Sequence, residues 1–259
     1  MSEPFVAGFF ALAVAGAIRS TWSPCGLSML STVTPLAERG RSHRFAATAS
    51  WFILGGILGG VTLGAAAALG AAVVAALDPS TTVVVGLVAV AAAVALASDL
   101  RWFGLRLPAH TRQVDEVWLS KYRPWVYGAG FGWQIGVGLA TYIMTAGVYL
   151  MIVAAALTAN PATAFAIAVV FGTVRGLAVL LGARITNPSD LFAFHRRFDT
   201  AGPYARWAVI VVEALLALGA AAWVWGPVGA IGLGVALTVG CIAGVRVRPG
   251  TAAAAVEPG

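Results

Sequence analysis

Seven stretches of roughly twenty or more apolar residues follow one another along this chain, and no other feature limits its fold so severely. A run of that length is what a helix needs to cross the hydrocarbon core of a bilayer. In lipid, each backbone N–H and C=O must be satisfied within the segment, so the chain reads as an all-α polytopic membrane protein. The crossings fall at about 5–36, 46–77, 82–99, 126–157, 161–183, 206–225 and 228–245. With 60% hydrophobic and 10% charged residues, against about 25% charged in a usual soluble domain, there is too little polar surface to cover a water-facing globule. The lipid bilayer is the first partner the sequence implies, and a bacterial plasma membrane, crossed several times, is the expected location.

The loops orient the crossings, because Arg and Lys collect on the cytoplasmic side. Arg39, Arg41 and Arg44 follow the first crossing; Arg101, Arg106, Arg112, Lys121 and Arg123 follow the third. Arg184, Arg196 and Arg197 follow the fifth, and Arg246 and Arg248 the seventh. The loops at Asp78-Pro79-Ser80-Thr81, Ala159-Asn160-Pro161 and Gly226-Pro227 hold no basic residue. This alternation places the N-terminus outside and the C-terminus inside. The net charge of +6 is thus spent on topology, in short clusters, and nucleic acid is not an expected partner. No cleavable signal peptide is expected, since the first apolar stretch lacks a basic n-region and an A-x-A site.

The first and fourth crossings are longer than a straight helix needs, and the first contains Pro24 and Pro35. Proline breaks the helical hydrogen-bond ladder. The freed backbone groups survive at membrane depth only when buried in protein or facing a water-filled cavity, so a broken helix is a candidate working site. Here the break carries Cys25, in Arg19-Ser20-Thr21-Trp22-Ser23-Pro24-Cys25-Gly26-Leu27. If a half-helix restarts at Pro24, its amides and dipole point at the sulfur and favour a reactive thiolate. The alternative is a buried Cys serving as a small hydrophobe. Gly55-Gly56 and Gly59-Gly60 read as close helix packing.

Ser23-Pro24-Cys25 at the break of a first membrane helix, followed by a second proline and a basic loop, resembles the CcdA/DsbD transmembrane family. The resemblance implies a core of two inverted three-helix repeats, each opening with a broken helix that bears a Pro-Cys pair. It implies a relay of reducing equivalents from a cytoplasmic thioredoxin-like protein to an extracytoplasmic thiol protein, including those of cytochrome c maturation, with Cys25 as nucleophile and Pro24 beside it. It spans roughly residues 5–225 and divides the chain into a core at 1–225, an extra transmembrane helix at 226–245 and a tail at 246–259. Within the core, repeat one lies at about 5–99, a cytoplasmic loop at about 100–125 and repeat two at about 126–225. In the second repeat Gly132 and Trp133 match the family, but Ile135 stands where proline is expected and Gly136 where the second cysteine is expected. A dithiol needs two Cα atoms within about 7 Å. The remaining thiol is Cys241, near the predicted cytoplasmic end of the seventh crossing. A single Cys25 would instead form a mixed disulfide with a partner's thiol.

Three ionisable residues fall inside crossings, where they mark a pathway or a structural pair: Arg19, Arg175 and Glu213. Arg175 and Glu213 are expected at one depth, either as an interhelical ion pair or with Arg175 and Arg19 lining an anion or thiolate path. Thr21, Trp22, Gln134 and Thr141 are candidate linings of a cavity between repeats; local packing and backbone hydrogen bonding is the alternative. The stretch from Arg101 to Trp125 either docks a soluble partner or only sets topology. His43, His110 and His195 show no metal-ligand spacing, and no nucleotide or haem motif occurs, so neither metal nor cofactor is expected. Two other functions fit the same scaffold: a small-solute or ion transporter without redox activity, and a non-catalytic membrane assembly subunit.

Overall fold

A computed structural model describes the backbone of residues 3–102, 105 and 117–246, and their side chains except at Ser120 and from residue 236 onward. All regular elements among the described residues are helical, as lipid demands, and five are long and apolar enough to cross a membrane. Residues 247–259 of the sequence-predicted tail and half of the loop at 100–125, with Arg106, Arg112 and His110, lie outside the described residues.

The first predicted crossing is three helices. α1 (Glu3–Ser20) ends before Thr21-Trp22-Ser23; α2 (Pro24–Thr32) and α3 (Pro35–Gly40) follow. Each proline stands at the start of a new helix, where its missing N–H is no loss. Each is preceded by a hydroxyl residue that caps it: the Ser23 side chain accepts from the Gly26 amide, and the Thr34 side chain from the Ala37 amide. Ser-Pro and Thr-Pro are thus restart signals, and they position everything that follows.

α4 (Phe45–Leu77) runs unbroken for 33 residues, a length of about 50 Å that exceeds a straight crossing of about 30 Å. Asp78, in the left-handed region at φ 43, turns the chain into α5 (Thr81–Asp99), capped by Ser80. A short α6 (Trp118–Lys121) precedes α7 (Pro124–Val137). α7 stops at Gly138, whose φ of 73 suits a residue without a Cβ, and the chain re-enters helix only at α8 (Gly147–Leu157). The fourth predicted crossing is therefore also broken. α9 (Pro161–Leu177), capped by Asn160, continues through a 3₁₀ turn at Ala178–Gly182.

The last helix departs from the sequence expectation at both ends. α10 (Pro188–Arg246) begins well before residue 206, so Arg196 and Arg197 lie on helix rather than in a loop. It also contains a reversal at Gly226 (φ 67, ψ −168), followed by Pro227. A Cβ on Gly234 would lie 3.9 Å from Leu218 Cδ2, and one on Gly229 would lie 3.0 Å from the Ala221 carbonyl oxygen. Residues equidistant from Gly226 are thus neighbours, and the two arms form an antiparallel pair.

α4 is the central strut, packed against α7 on one side and α9 on the other. Both contacts are backbone on backbone. A Cβ on Gly132 would lie 2.0 Å from the Phe52 carbonyl oxygen, and one on Gly172 would lie 2.5 Å from Gly60 Cα. With no hydrophobic drive between helices in lipid, small residues that permit this approach hold the bundle together. Two apolar cores result. The larger joins α1, α4, α5, α8, α9 and α10; the smaller surrounds Cys25 with Met29, Val33, Phe52, Phe131 and Val179. Leu58, Leu69, Val73, Leu87 and Leu215 point outward, as a lipid-facing surface requires.

Candidate functional site

Cys25 is the second residue of α2, directly after Pro24, and is 2% exposed. Its Sγ lies 3.0 Å from the Ser23 Oγ, the same hydroxyl that accepts from the Gly26 amide at 3.2 Å. One side chain therefore both restarts the helix and contacts the thiol. Facing them from α9 is Arg175, 2% exposed, whose Nε donates to the Ile135 carbonyl at 3.1 Å. Its guanidinium has the Cys25 sulfur among its polar neighbours, while Nη1 has no hydrogen-bond partner. A cavity with room for about one water molecule opens here, lined by Thr21, Gly26, Met29, Phe52, Ile135 and Arg175.

Of the residues singled out in the sequence, the structure brings Thr21 and Arg175 together in the lining of this cavity beside the start of α2. Trp22 turns the other way: its ring stacks on Phe198 at 4.3 Å and its Nε1 donates to the Phe198 carbonyl at 2.8 Å, so the early turns of α10 close over the break. Gln134 is half-buried on α7 and does not line the cavity. Gly136 sits in the glycine seam, where a Cβ would lie 2.2 Å from the Gly56 carbonyl oxygen. A side chain at that position would collide with this backbone. Cys241 lies on the returning arm of α10, its side chain outside the described residues.

Arg175 and Glu213 do not meet, contrary to the expectation of one ion pair. Glu213 belongs to a second cluster, at the start of α8. There the Asp99 carboxylate caps the helix, accepting from the Ala146 amide at 2.8 Å and from the Thr145 hydroxyl. Arg206 donates to the Asp99 carbonyl at 2.8 Å, and Arg19, half-buried, has Asp99 and Arg206 as its charged neighbours. Glu213 is 0% exposed, lies 3.1 Å from where a Gly147 Cβ would stand, and neither carboxylate oxygen has a hydrogen-bond partner. Thr141, in the chain between α7 and α8, is also buried with its hydroxyl unpartnered.

Sequence reasoning passed over Glu38 and Asp99. Glu38 is fully buried and accepts from Arg41 at 2.9 Å, Thr48 at 2.6 Å and the Tyr127 hydroxyl at 2.8 Å, tying α3 to α4 and α7. The available signal was an acidic residue within an otherwise basic flank of a crossing. For Asp99 it was an acid closing an apolar run. Among the described residues no group of three or more His, Cys, Asp or Glu is placed to hold a metal ion.

Chemically, the arrangement sets a buried thiol and a buried guanidinium beside one helix start. Comparison with known proteins adds a family. The chain is 33% identical over 196 residues to methylamine utilization protein MauF of Paracoccus denitrificans, a match covering 70% of this chain and 65% of that protein. It is 31% identical over 168 residues to MauF of Paracoccus versutus, covering 64% and 61%. With MauF of Methylophilus methylotrophus it shares 30% identity over 223 residues, 83% of this chain and 74% of the relative. The chain thus spans just under two thirds of the length of the two Paracoccus proteins. No family model matches, and neither does any solved structure.

Proposed function

This chain belongs to the family of methylamine utilization protein MauF, and from that membership we propose that it serves methylamine utilization as a multi-pass plasma-membrane protein whose working group is the Cys25 thiol. The observation that carries the reading is the Ser23 hydroxyl 3.0 Å from the Cys25 sulfur at the restart of α2, with the buried Arg175 guanidinium as a polar neighbour of the same thiol. A cysteine serving only to fill a core has no use for a buried guanidinium brought from another helix.

In this role Cys25 attacks a disulfide of an extracytoplasmic protein. A bond forms between Cys25 Sγ and one partner sulfur, the partner's S–S bond breaks, and its second sulfur leaves as thiolate. A further thiol, from the partner or from a thioredoxin-like protein, attacks the partner sulfur of the mixed disulfide, forms a new S–S bond with it and frees Cys25 as thiolate. Gly136 leaves no room for the family-type resolving cysteine, so turnover depends on that external thiol. The burial of Cys25 requires α2 to shift, or the reagent to enter through the cavity.

The fold reading that accompanies this is the CcdA/DsbD-like one: seven crossings, N-terminus out, C-terminus in, and two inverted repeats. Three features support it. Both repeats open with a broken helix, α1/α2 and α7/α8. α4 pairs with α9 and α5 with α10, as equivalent helices about one axis would. The reversal at Gly226 separates a sixth from a seventh crossing.

Thiol trapping in intact membranes tests the function, with a maleimide mass tag applied before and after reduction. Cys25 is expected to label, to become protected under oxidant, and to be caught in a mixed disulfide that Cys25→Ser abolishes. A Cys25 that stays reduced and inert refutes the relay. The unpartnered buried charges of Arg175 and Glu213 favour a second reading, an ion or solute transporter. In that case Cys25→Ser leaves transport intact while Glu213→Gln abolishes it.

A further inference from the structure

A guanidinium taken out of water needs a compensating charge and partners for its N–H groups, or its burial costs several kcal/mol. Arg175 has neither in full. Among the described residues no carboxylate pairs with it; its polar neighbours are the Ile135 carbonyl, taken by Nε, and the Cys25 sulfur. Nη1 is left without a partner in a residue that lines a cavity. That cavity abuts the start of α2, a nine-residue helix whose positive end adds to the field of Arg175. The side chains of its other walls, Met29, Leu30, Phe52, Ile135 and Val179, are apolar, and the remaining polar one, Thr21, gives its hydroxyl hydrogen to the Ala17 carbonyl.

We propose that this cavity binds a small monovalent anion, held by the Arg175 guanidinium at the start of α2. Room for about one water-sized particle limits the ligand to halide or hydrosulfide size and excludes sulfate or a nucleotide phosphate. The apolar walls select a weakly hydrated anion, which loses least on leaving water. This goes beyond the thiol chemistry proposed above and does not depend on it: the anion is bound whether or not Cys25 exchanges disulfides. Where both hold, the anion stands in the approach to the sulfur and slows its modification.

The test uses the full chain purified in detergent and held in sodium gluconate, with sodium bromide as the probe. Bromide is expected to raise Tm saturably, by about 2–4 °C, while sulfate at matched ionic strength does not. Arg175→Met removes the bromide response, and Cys25→Ala retains it. A second measurement on the wild-type protein avoids dependence on the folding of any variant: bromide slows modification of Cys25 by methyl methanethiosulfonate severalfold relative to gluconate. Absence of a bromide-specific effect on both Tm and modification rate overturns the proposal, as does a response undiminished in Arg175→Met. Trapped mixed disulfides without a bromide effect leave the relay standing and remove the anion site. A bromide effect on a thiol that never exchanges does the reverse.

Discussion

At the scale of single residues, the site is decided by what has room and what does not. The bare backbone of Gly136 is a packing requirement, since a Cβ there meets the Gly56 carbonyl oxygen at 2.2 Å. Gly136→Cys should therefore not restore a disulfide with Cys25. It should instead destabilise the bundle by about 1–3 kcal/mol, the usual cost of overpacking, read as a fall in Tm with Cys25 still free to maleimide after denaturation. A disulfide between Cys25 and the introduced thiol, formed at unchanged Tm, contradicts this. Ser23 has the opposite character, one hydroxyl serving both a helix amide and the thiol. Ser23→Ala should cost about 1 kcal/mol through loss of the cap. It should also change the rate of Cys25 alkylation, whereas Ser31→Ala, which removes a hydroxyl 3.0 Å from His195 Nε2, should leave that rate alone.

At the scale of elements, each of the two breaks is stabilised by a cap that sequence supplies in a different way. α2 carries its own, in Ser23-Pro24. α8 has no capping side chain at its first position, Ala146, and takes one from α5 instead: Asp99 accepts from the Ala146 amide. Asp99 thereby locks α5 to α8 across the break. Asp99→Asn keeps an acceptor oxygen and should cost less than Asp99→Ala, which strips the Ala146 amide and the Thr145 hydroxyl together. The expected order of Tm is wild type, Asn, Ala, with the Ala variant losing about 1–3 kcal/mol. Equal stability of Asn and Ala would mean that the cap contributes nothing.

At the scale of the whole molecule, α4 and α9 form a glycine-lined axis, with α1 and α7 laid against it from either side. The reversal at Gly226 decides where the chain finishes. A seventh crossing puts the end of α10 in the cytoplasm; six crossings put it outside. Fusion of a reporter after Arg246 should give fluorescence with green fluorescent protein and no activity with alkaline phosphatase, and fusion after Trp225 the converse. The opposite pattern would refute the orientation proposed here. Gly226→Leu should erase the difference by straining a backbone at φ 67 that side chains rarely adopt.

Local chemistry sufficed for much of this. Apolar run length placed α4, α5 and α9 with its 3₁₀ extension within a residue or so, because a straight lipid-spanning helix needs a long apolar run. Pro24 and Pro35 marked the breaks, because a missing N–H and a fixed φ act over a few residues, while the caps from Ser23 and Thr34 emerged only in the structure. Cys25 was conspicuous for the same reason. The partners were not legible. That Arg175 faces Cys25 rather than Glu213, that Asp99 caps a helix 46 residues downstream, and that Gly136 abuts Gly56 all depend on which helix lies against which. In a chain whose helices are apolar all round, periodicity does not single out a buried face, and contacts between distant segments are settled only when the glycine seams close.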